Sequence, residues 1–174
     1  MNSAGASANS AQASVTPQQG TPAPTGSLVL QYRTGDTNAT DNQIKPHFNI
    51  KNTGTSAFNL SDLKIRYYFT KDGADSMNAW VDWAQLGTSS VQTTFGSVTG
   101  TNADTYVEIS FSAAAGSIPA GGQTGDIQLR LSKSDWSNLD ENNDYSFDAT
   151  KTSYTDWSKV TLYNNGTLVW GIEP

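Results

Sequence analysis

Cysteine is absent from the 174 residues, which excludes disulfides and thiolate metal sites. A domain of this size without cross-links gains from another staple, and a bound metal ion is one candidate. Histidine occurs once. His47 sits in a strand-like run with no Ser or Asp partner at a recognisable spacing, so it reads as a satisfied or solvated imidazole rather than a catalytic base. Positive charge is scarce: the net charge is −6 and the arginines are scattered, which argues against a nucleic-acid partner. No apolar run approaches the roughly 20 residues needed to cross a bilayer. Glutamate is limited to Glu108, Glu141 and Glu173, and no pair of carboxylates can be picked out at the separation that glycoside hydrolysis needs. A phosphate loop, a Cys/His zinc pattern and an internal repeat are all missing. Met1 to Gly5 shows neither a basic start nor an apolar stretch, so the chain is expected to be an excerpt of a longer precursor, with a cytosolic protein as the alternative.

What is present falls into two compositional blocks. Residues 1–26 hold Ala, Ser, Thr, Gln, Pro, Gly and Asn with almost no large apolar side chain. Such a block cannot bury enough area to offset its ordering entropy, and is expected to be a flexible linker that follows another domain. From residue 27 the pattern changes to short runs of period two, expected to fold as one module over 27–174. LVLQYR (28–33), LKIRYYFT (63–70), TYVEISF (105–111) and DIQLRLS (126–132) alternate cleanly, and Asn165-Gly166 between two such runs signals a hairpin. Pro46 is expected to push the run 44–52 towards a sheet edge. The regular short strands predict an all-β, antiparallel sandwich or jelly roll.

Two constellations stand out. The first is aromatic and polar. Gln128 and Arg130 share one face of a strand, Trp136 follows just beyond its end, and AWVDWA (79–84) brings Asp82 and Trp83. Asp82 could pair with Arg130 and hold its guanidinium flat beside the two indoles. Each indole stacked on a sugar ring would bury about 100 Å², worth roughly 2–3 kcal/mol. Spacing alone leaves a buried position for both indoles equally open. Trp80, Trp157 and Trp170 are expected in the core, because their neighbours alternate as buried strands do. The second constellation is rich in oxygen: Thr70 and Asp72 in one turn, and Asp140, Asn143 and Asp144 in SDWSNLDENNDYSF (134–147). Two loops of this kind could supply the six to eight oxygens that calcium prefers. Two ordinary solvated turns, which favour the same residues, remain the alternative.

Together the runs NIKNTGTSAFNLSDLKIRYYFTKDG (49–73), NADTYVEISF (102–111), SDWSNLDENNDYSF (134–147) and LYNNGTLVWGIEP (162–174) resemble the family 3 carbohydrate-binding modules of bacterial cellulases and scaffoldins. The resemblance spans about residues 27–174. It implies a nine-stranded jelly roll and a structural Ca2+ held by Thr70, Asp72, Asp140, Asn143 and Asp144. It implies a cellulose-binding strip of Asp82, Trp83, Arg130 and Trp136, with polar anchors Asp36, Asn42, Gln128 and Lys151. Trp83 stands where relatives carry histidine, while Asp36 and Lys151 depart from the usual Asn and Ser. The segment 87–97 is short and lacks a tyrosine that lengthens the strip in scaffoldin modules, so a shorter platform is expected. A shallow groove of Arg66, Tyr68, Tyr106, Glu108 and Tyr145 is implied on the opposite sheet; a solvated polar face is the other reading of those residues. The implied partners are crystalline cellulose and a catalytic domain joined N-terminal to the linker, with no membrane contact and a monomeric, extracellular module. An accessory module that packs against its catalytic domain is the second reading of the same family.

Overall fold

The computed structural model describes residues 27–174; the expected linker, residues 1–26, lies outside them. Alternation sets the elements. Leu28, Leu30 and Tyr32 point inward from β1 (Leu28–Thr34), and Phe48 and Ile50 from β2 (Pro46–Asn52). A two-residue β3 (Phe58–Asn59) precedes β4 (Leu63–Phe69), which buries Leu63, Ile65, Tyr67 and Phe69. Next come β5 (Met77–Ala84), β6 (Val91–Gly100), β7 (Ala103–Phe111) and the short β8 (Ser117–Ile118). The chain ends with β9 (Ile127–Lys133), the short β10 (Thr155–Asp156), β11 (Val160–Asn164) and β12 (Thr167–Trp170).

Two five-stranded sheets result, ordered β10-β1-β2-β9-β5 and β12-β11-β4-β7-β6, with β3 and β8 forming a separate ribbon. Nine of these twelve segments are four residues or longer; the other three have two residues each. All the pairings within the sheets are antiparallel. The protein is thus an all-β sandwich, as the period-two runs predict. Between the sheets lies one continuous core, in which Tyr32, Phe48, Tyr67 and Phe69 contact one another with ring centroids 5.9–6.4 Å apart.

Pro46 does not mark an edge. β2 is the central strand of its sheet, and Pro46 is its first residue, where a missing N–H removes little from the ladder. The Asn165-Gly166 hairpin forms as expected, with φ of 51° and 82° at the two turn residues and Asn164 paired with Thr167. Trp157 and Trp170 pack against the core while remaining half-buried. Each indole N–H donates to a backbone carbonyl, of Ser146 at 2.9 Å and of Trp157 at 3.0 Å.

Gly171 closes the last strand in a conformation only glycine tolerates. Its φ is +88°, and a Cβ there would stand 2.1 Å from the Val160 carbonyl oxygen. Gly171→Ala is expected to lower the unfolding free energy by about 2 kcal/mol or more, read as a lower urea midpoint at unchanged slope. A midpoint equal to the parent's would contradict this packing.

Candidate ligand-binding face and oxygen-lined turn

The outer face of the β10-β1-β2-β9-β5 sheet takes its character from an irregularity in β5. Val81 pairs with Leu129 and Trp83 with Gln128, so Asp82 is an extra residue on the β5 side. A bulge of this kind resets the alternation. Ala79 and Val81 pack against the core and Ala84 is buried. Trp80, Asp82 and Trp83 therefore all face outward. Trp83 is 53% exposed.

Trp80 corrects the sequence reading. It was expected in the core; instead it is half-buried on the outer face, opposite Arg130 in the register. The alternation on which the core placement rested is present, but Ala79 and Val81, not Trp80, occupy its inward side. The Trp80 indole stacks on Trp136, with centroids 5.6 Å apart and planes 20° from parallel. The Arg130 guanidinium lies 4.6 Å from the Trp80 ring centre. Arg130 Nε and Nη2 donate to the two oxygens of Asp82 at 3.1 and 3.3 Å. An ion pair this exposed contributes about 1 kcal/mol or less to stability. What it does instead is hold the guanidinium plane in one orientation.

Trp136 reaches the same face through a turn that no strand dictates. Its φ is +62°, rare for a bulky residue. Its backbone N–H donates to Lys133 O at 3.1 Å, and the Asp135 carboxylate accepts from Ser137 N at 2.9 Å. This throws the indole back over the sheet, where it stays 45% exposed. Asp82, Trp83, Arg130 and Trp136 are thus brought together, with Trp80 added. Gln128 flanks Trp83 and donates to Asp126 at 3.1 Å. The other expected anchors stand in loops near β1. Asp36 is paired with Lys45 at 3.1 Å, and the Asn38 N–H, then Lys45, hold its carboxyl below the usual range. Lys151 contacts Asp148 at 3.4 Å and lies 4.6 Å from the Trp157 ring centre. Asn42 is half-buried. Among the described residues no ion pair or side-chain hydrogen bond joins these three to the strip.

The oxygen-bearing turns also meet. Thr70 Oγ1 lies 3.1 Å from Asp72 Oδ1, 2.8 Å from Asn143 Oδ1 and 2.9 Å from Asp144 Oδ1, and Thr70 N donates to Asp144 Oδ1 at 2.7 Å. The second Asp144 oxygen is buried with no partner, and burial pushes this carboxyl up to about 7. An orphaned buried carboxylate oxygen among side-chain oxygens is what a hard cation would satisfy. Asp140 Oδ1 accepts from Asn142 N and Nδ2 at 3.0 and 2.9 Å, and its carboxylate lies near enough to Asp144 to raise that group's pKa. Among the described residues no group of three or more Asp, Glu, His or Cys gathers at metal-binding spacing. The set therefore depends on neutral oxygens of Thr70 and Asn143 beside the carboxylates of Asp72 and Asp144.

On the opposite sheet Arg66 bonds Glu108 at 2.9 Å and lies 4.3 and 4.8 Å from the ring centres of Tyr106 and Tyr163. Tyr68, expected on the groove surface, is only 1% exposed. Tyr106 and Tyr145 cover it, and its hydroxyl bonds Thr161 and Tyr163.

A sandwich carrying an exposed aromatic and ionic strip on one sheet offers a flat surface of the kind that suits sugar rings. The comparisons with known proteins specify the class. The family model for the cellulose binding domain matches residues 29–171. "Uncharacterized protein in celA 5'region" of Paenibacillus lautus is 68% identical, over 83% of this chain and 100% of its own length. Endoglucanase A of the same organism is 64% identical over 84% of this chain, which spans only 21% of that enzyme. Among solved structures, the CBM3b of the major scaffoldin ScaA from Acetivibrio cellulolyticus matches with a TM-score of 0.82 and 45% identity, covering 85% of this chain and 97% of that one. A family IIIa cellulose-binding domain from Clostridium cellulolyticum matches at 0.81 and 40%, covering 87% and 100%. The chain belongs to the family 3 cellulose-binding modules.

His47, on the same outer face, gives a test of the electrostatics. Burial, then Arg33, lowers its pKa from 6.5 to about 4. The folded protein therefore holds fewer protons on this ring than the unfolded chain between those values. Its contribution is full above pH 6.5 and is lost as pH falls towards 4. Comparing His47→Gln with the parent, the parent's stability is expected to drop relative to the variant across that window. Parallel pH profiles would refute the assignment.

Proposed function

We propose that this module binds crystalline cellulose through the strip Trp83, Asp82, Arg130 and Trp136, with Trp80 beneath its ionic centre, and so tethers an attached secreted glycoside hydrolase to its substrate. The observation that carries the reading is that two exposed indoles and a bidentate acid–guanidinium pair share one outer sheet face. Indole faces and a flat guanidinium complement the apolar faces of glucose rings, which a crystal presents in rows. Gln128, and Asn42, Asp36 and Lys151 in the adjoining loops, would supply hydrogen bonds to ring hydroxyls. Asp36 and Lys151 would first exchange the partners they already hold, so their net contribution is small. Tethering raises the effective concentration of a linked catalytic domain at the surface without any chemistry in the module itself.

Placement outside the cell follows from the same reading. The endoglucanase and scaffolding relatives bear names of polysaccharide-degrading systems, and among the described residues no helix is long and apolar enough to cross a membrane. The calcium that the family resemblance implies fits the paired turns. Asp72, Asn143, Asp144 and Thr70 would hold it through side-chain oxygens, with Asp140 adding negative charge alongside. Such an ion would neutralise the Asp144 carboxylate, and Thr70 and Asp72 after β4 would hold it together with Asn143 and Asp144 of the segment that carries Trp136.

Depletion from solution by microcrystalline cellulose tests the strip. Trp136→Ala is expected to weaken retention by about tenfold or more, the loss of a ring worth roughly 2 kcal/mol. Trp80→Ala should weaken it less, because that side chain acts by supporting Trp136 and Arg130. Parent protein left wholly in the supernatant at micromolar concentration would remove the reading. For the ion, EDTA is expected to lower the melting temperature and added calcium to restore it; an unchanged melting temperature would exclude a structural calcium.

A further inference from the structure

The line of outward side chains along β5 and β9 does not stop at Trp83. Trp83 pairs with Gln128 and Ala84 with Ile127, and one position further on Gln85 N donates to Asp126 O at 2.9 Å. Ala84 and Ile127 are buried, and Leu86 packs against the core. Alternation therefore turns Gln85 and Asp126 to the outer face, as the next pair after Trp83 and Gln128. Two residues along a strand advance by about 7 Å. The pair thus prolongs the row that runs from Trp80 and Arg130 through Trp83 and Gln128, on the same two adjacent strands.

Gln85 is exposed, yet it has a seat. A Cβ on Gly125 would collide with its Oε1 and Cδ, so the amide occupies the space that any side chain at 125 would need. Gly125 itself is anchored from β2: its N–H donates to Asn49 Oδ1 at 2.9 Å. Among the described residues the Gln85 amide is in no hydrogen bond, whereas Gln128 Nε2 donates to Asp126 Oδ2 at 3.1 Å. The nearby Tyr154 hydroxyl, then Gln128, hold the Asp126 carboxyl below the usual range. The end of the row therefore offers an amide with its donor and acceptor unspent, beside a carboxylate that stays ionised. An amide confined in this way loses less freedom on meeting a ligand than a freely rotating one.

Chemistry indicates what these groups would meet. Indoles match the apolar faces of sugar rings, while amides and carboxylates match the hydroxyls at ring edges, the carboxylate forming the stronger hydrogen bonds. The segment 87–97, which follows directly, contains no tyrosine to carry the aromatic part of the strip further, and its Phe95 packs against the core.

We propose that Gln85 and Asp126 form a polar subsite that extends the platform beyond Trp83 and takes hydroxyl groups of the next glucose along a β-1,4-glucan chain at the crystal surface. The inference rests on the cellulose-binding reading above and adds a subsite to it. Length that the strip lacks in aromatic residues is made up by hydrogen bonds, and Gln128 links the new pair to Trp83. Gly125 acts through Gln85 as a positioning residue.

Depletion isotherms on microcrystalline cellulose test the subsite with Gln85→Ala, Asp126→Ala and Gln85→Tyr, each read well below its own measured melting temperature. Each alanine variant is expected to weaken retention by about fivefold, the worth of one hydrogen bond to a hydroxyl. Gln85→Tyr, which adds a ring in line with Trp83, should tighten retention by about fivefold. Parent-level retention by either alanine variant would overturn the two-residue subsite. A Gln85→Tyr protein that binds no tighter than the parent would show that position 85 lies off the line of the strip, and would overturn the extension too. A parent that itself stays in the supernatant would instead remove the cellulose reading on which the subsite rests.

Discussion

One extra residue in β5 governs the binding face. Strict alternation along Met77–Ala84 would give every second side chain to the core, and Asp82 and Trp83 could not both face water. The bulge at Asp82 gives both to the outer side while Ala84 returns to the interior. Around that point the other groups fall into place by register. Arg130 stands opposite Trp80, and its guanidinium reaches Asp82 and lies against the indole together. The rest of the sandwich supplies rigidity: a continuous core behind the sheet keeps the backbone positions of these side chains from drifting.

The two faces of the molecule spend their aromatic residues differently. On the β12-β11-β4-β7-β6 sheet, tyrosines cover one another. Tyr68 is sealed beneath Tyr106 and Tyr145, and its hydroxyl is satisfied by Thr161 and Tyr163. On the other sheet, Trp83 and Trp136 are left half open to solvent, in a protein where one further large apolar side chain, Leu168, is comparably exposed among the described residues. Exposed tryptophan is unfavourable unless something covers it in use. The same sheet holds polar rings with unmatched atoms in His47 and Tyr154.

The oxygen-lined turns connect stability with that face. The segment after β9 bears Trp136 near its start and Asp140 to Asp144 a few residues later. Its fixed points include Asp144 against Thr70 and Asp140 N against Asp72. Lys133, buried at the end of β9, donates to the Asp72 carbonyl oxygen at 2.7 Å and joins the two turns from the other side. Charge held in these turns therefore bears on how firmly the loop returns the indole to Trp80.

Much of the architecture was legible in residue order. Period-two runs locate the strands because a half-buried strand must alternate, and Asn-Gly marks the last hairpin because its turn needs positive φ twice. The aromatic, ionic and oxygen-bearing residues could be named from their types and from the family motifs they sit in. Their arrangement could not be. Pro46 looks like an edge signal until the sheet order shows it opening a central strand. Trp80 looks like core until the bulge and the register place it beneath Trp136 and Arg130. The meeting of Trp83, Gln128, His47, Arg33 and Tyr154 in one row joins positions up to 121 residues apart in the chain. Local patterning determines which side of its own strand a residue occupies. Which strands become neighbours, and at what offset, is set by how the two sheets close over a shared core, and only the folded molecule decides that.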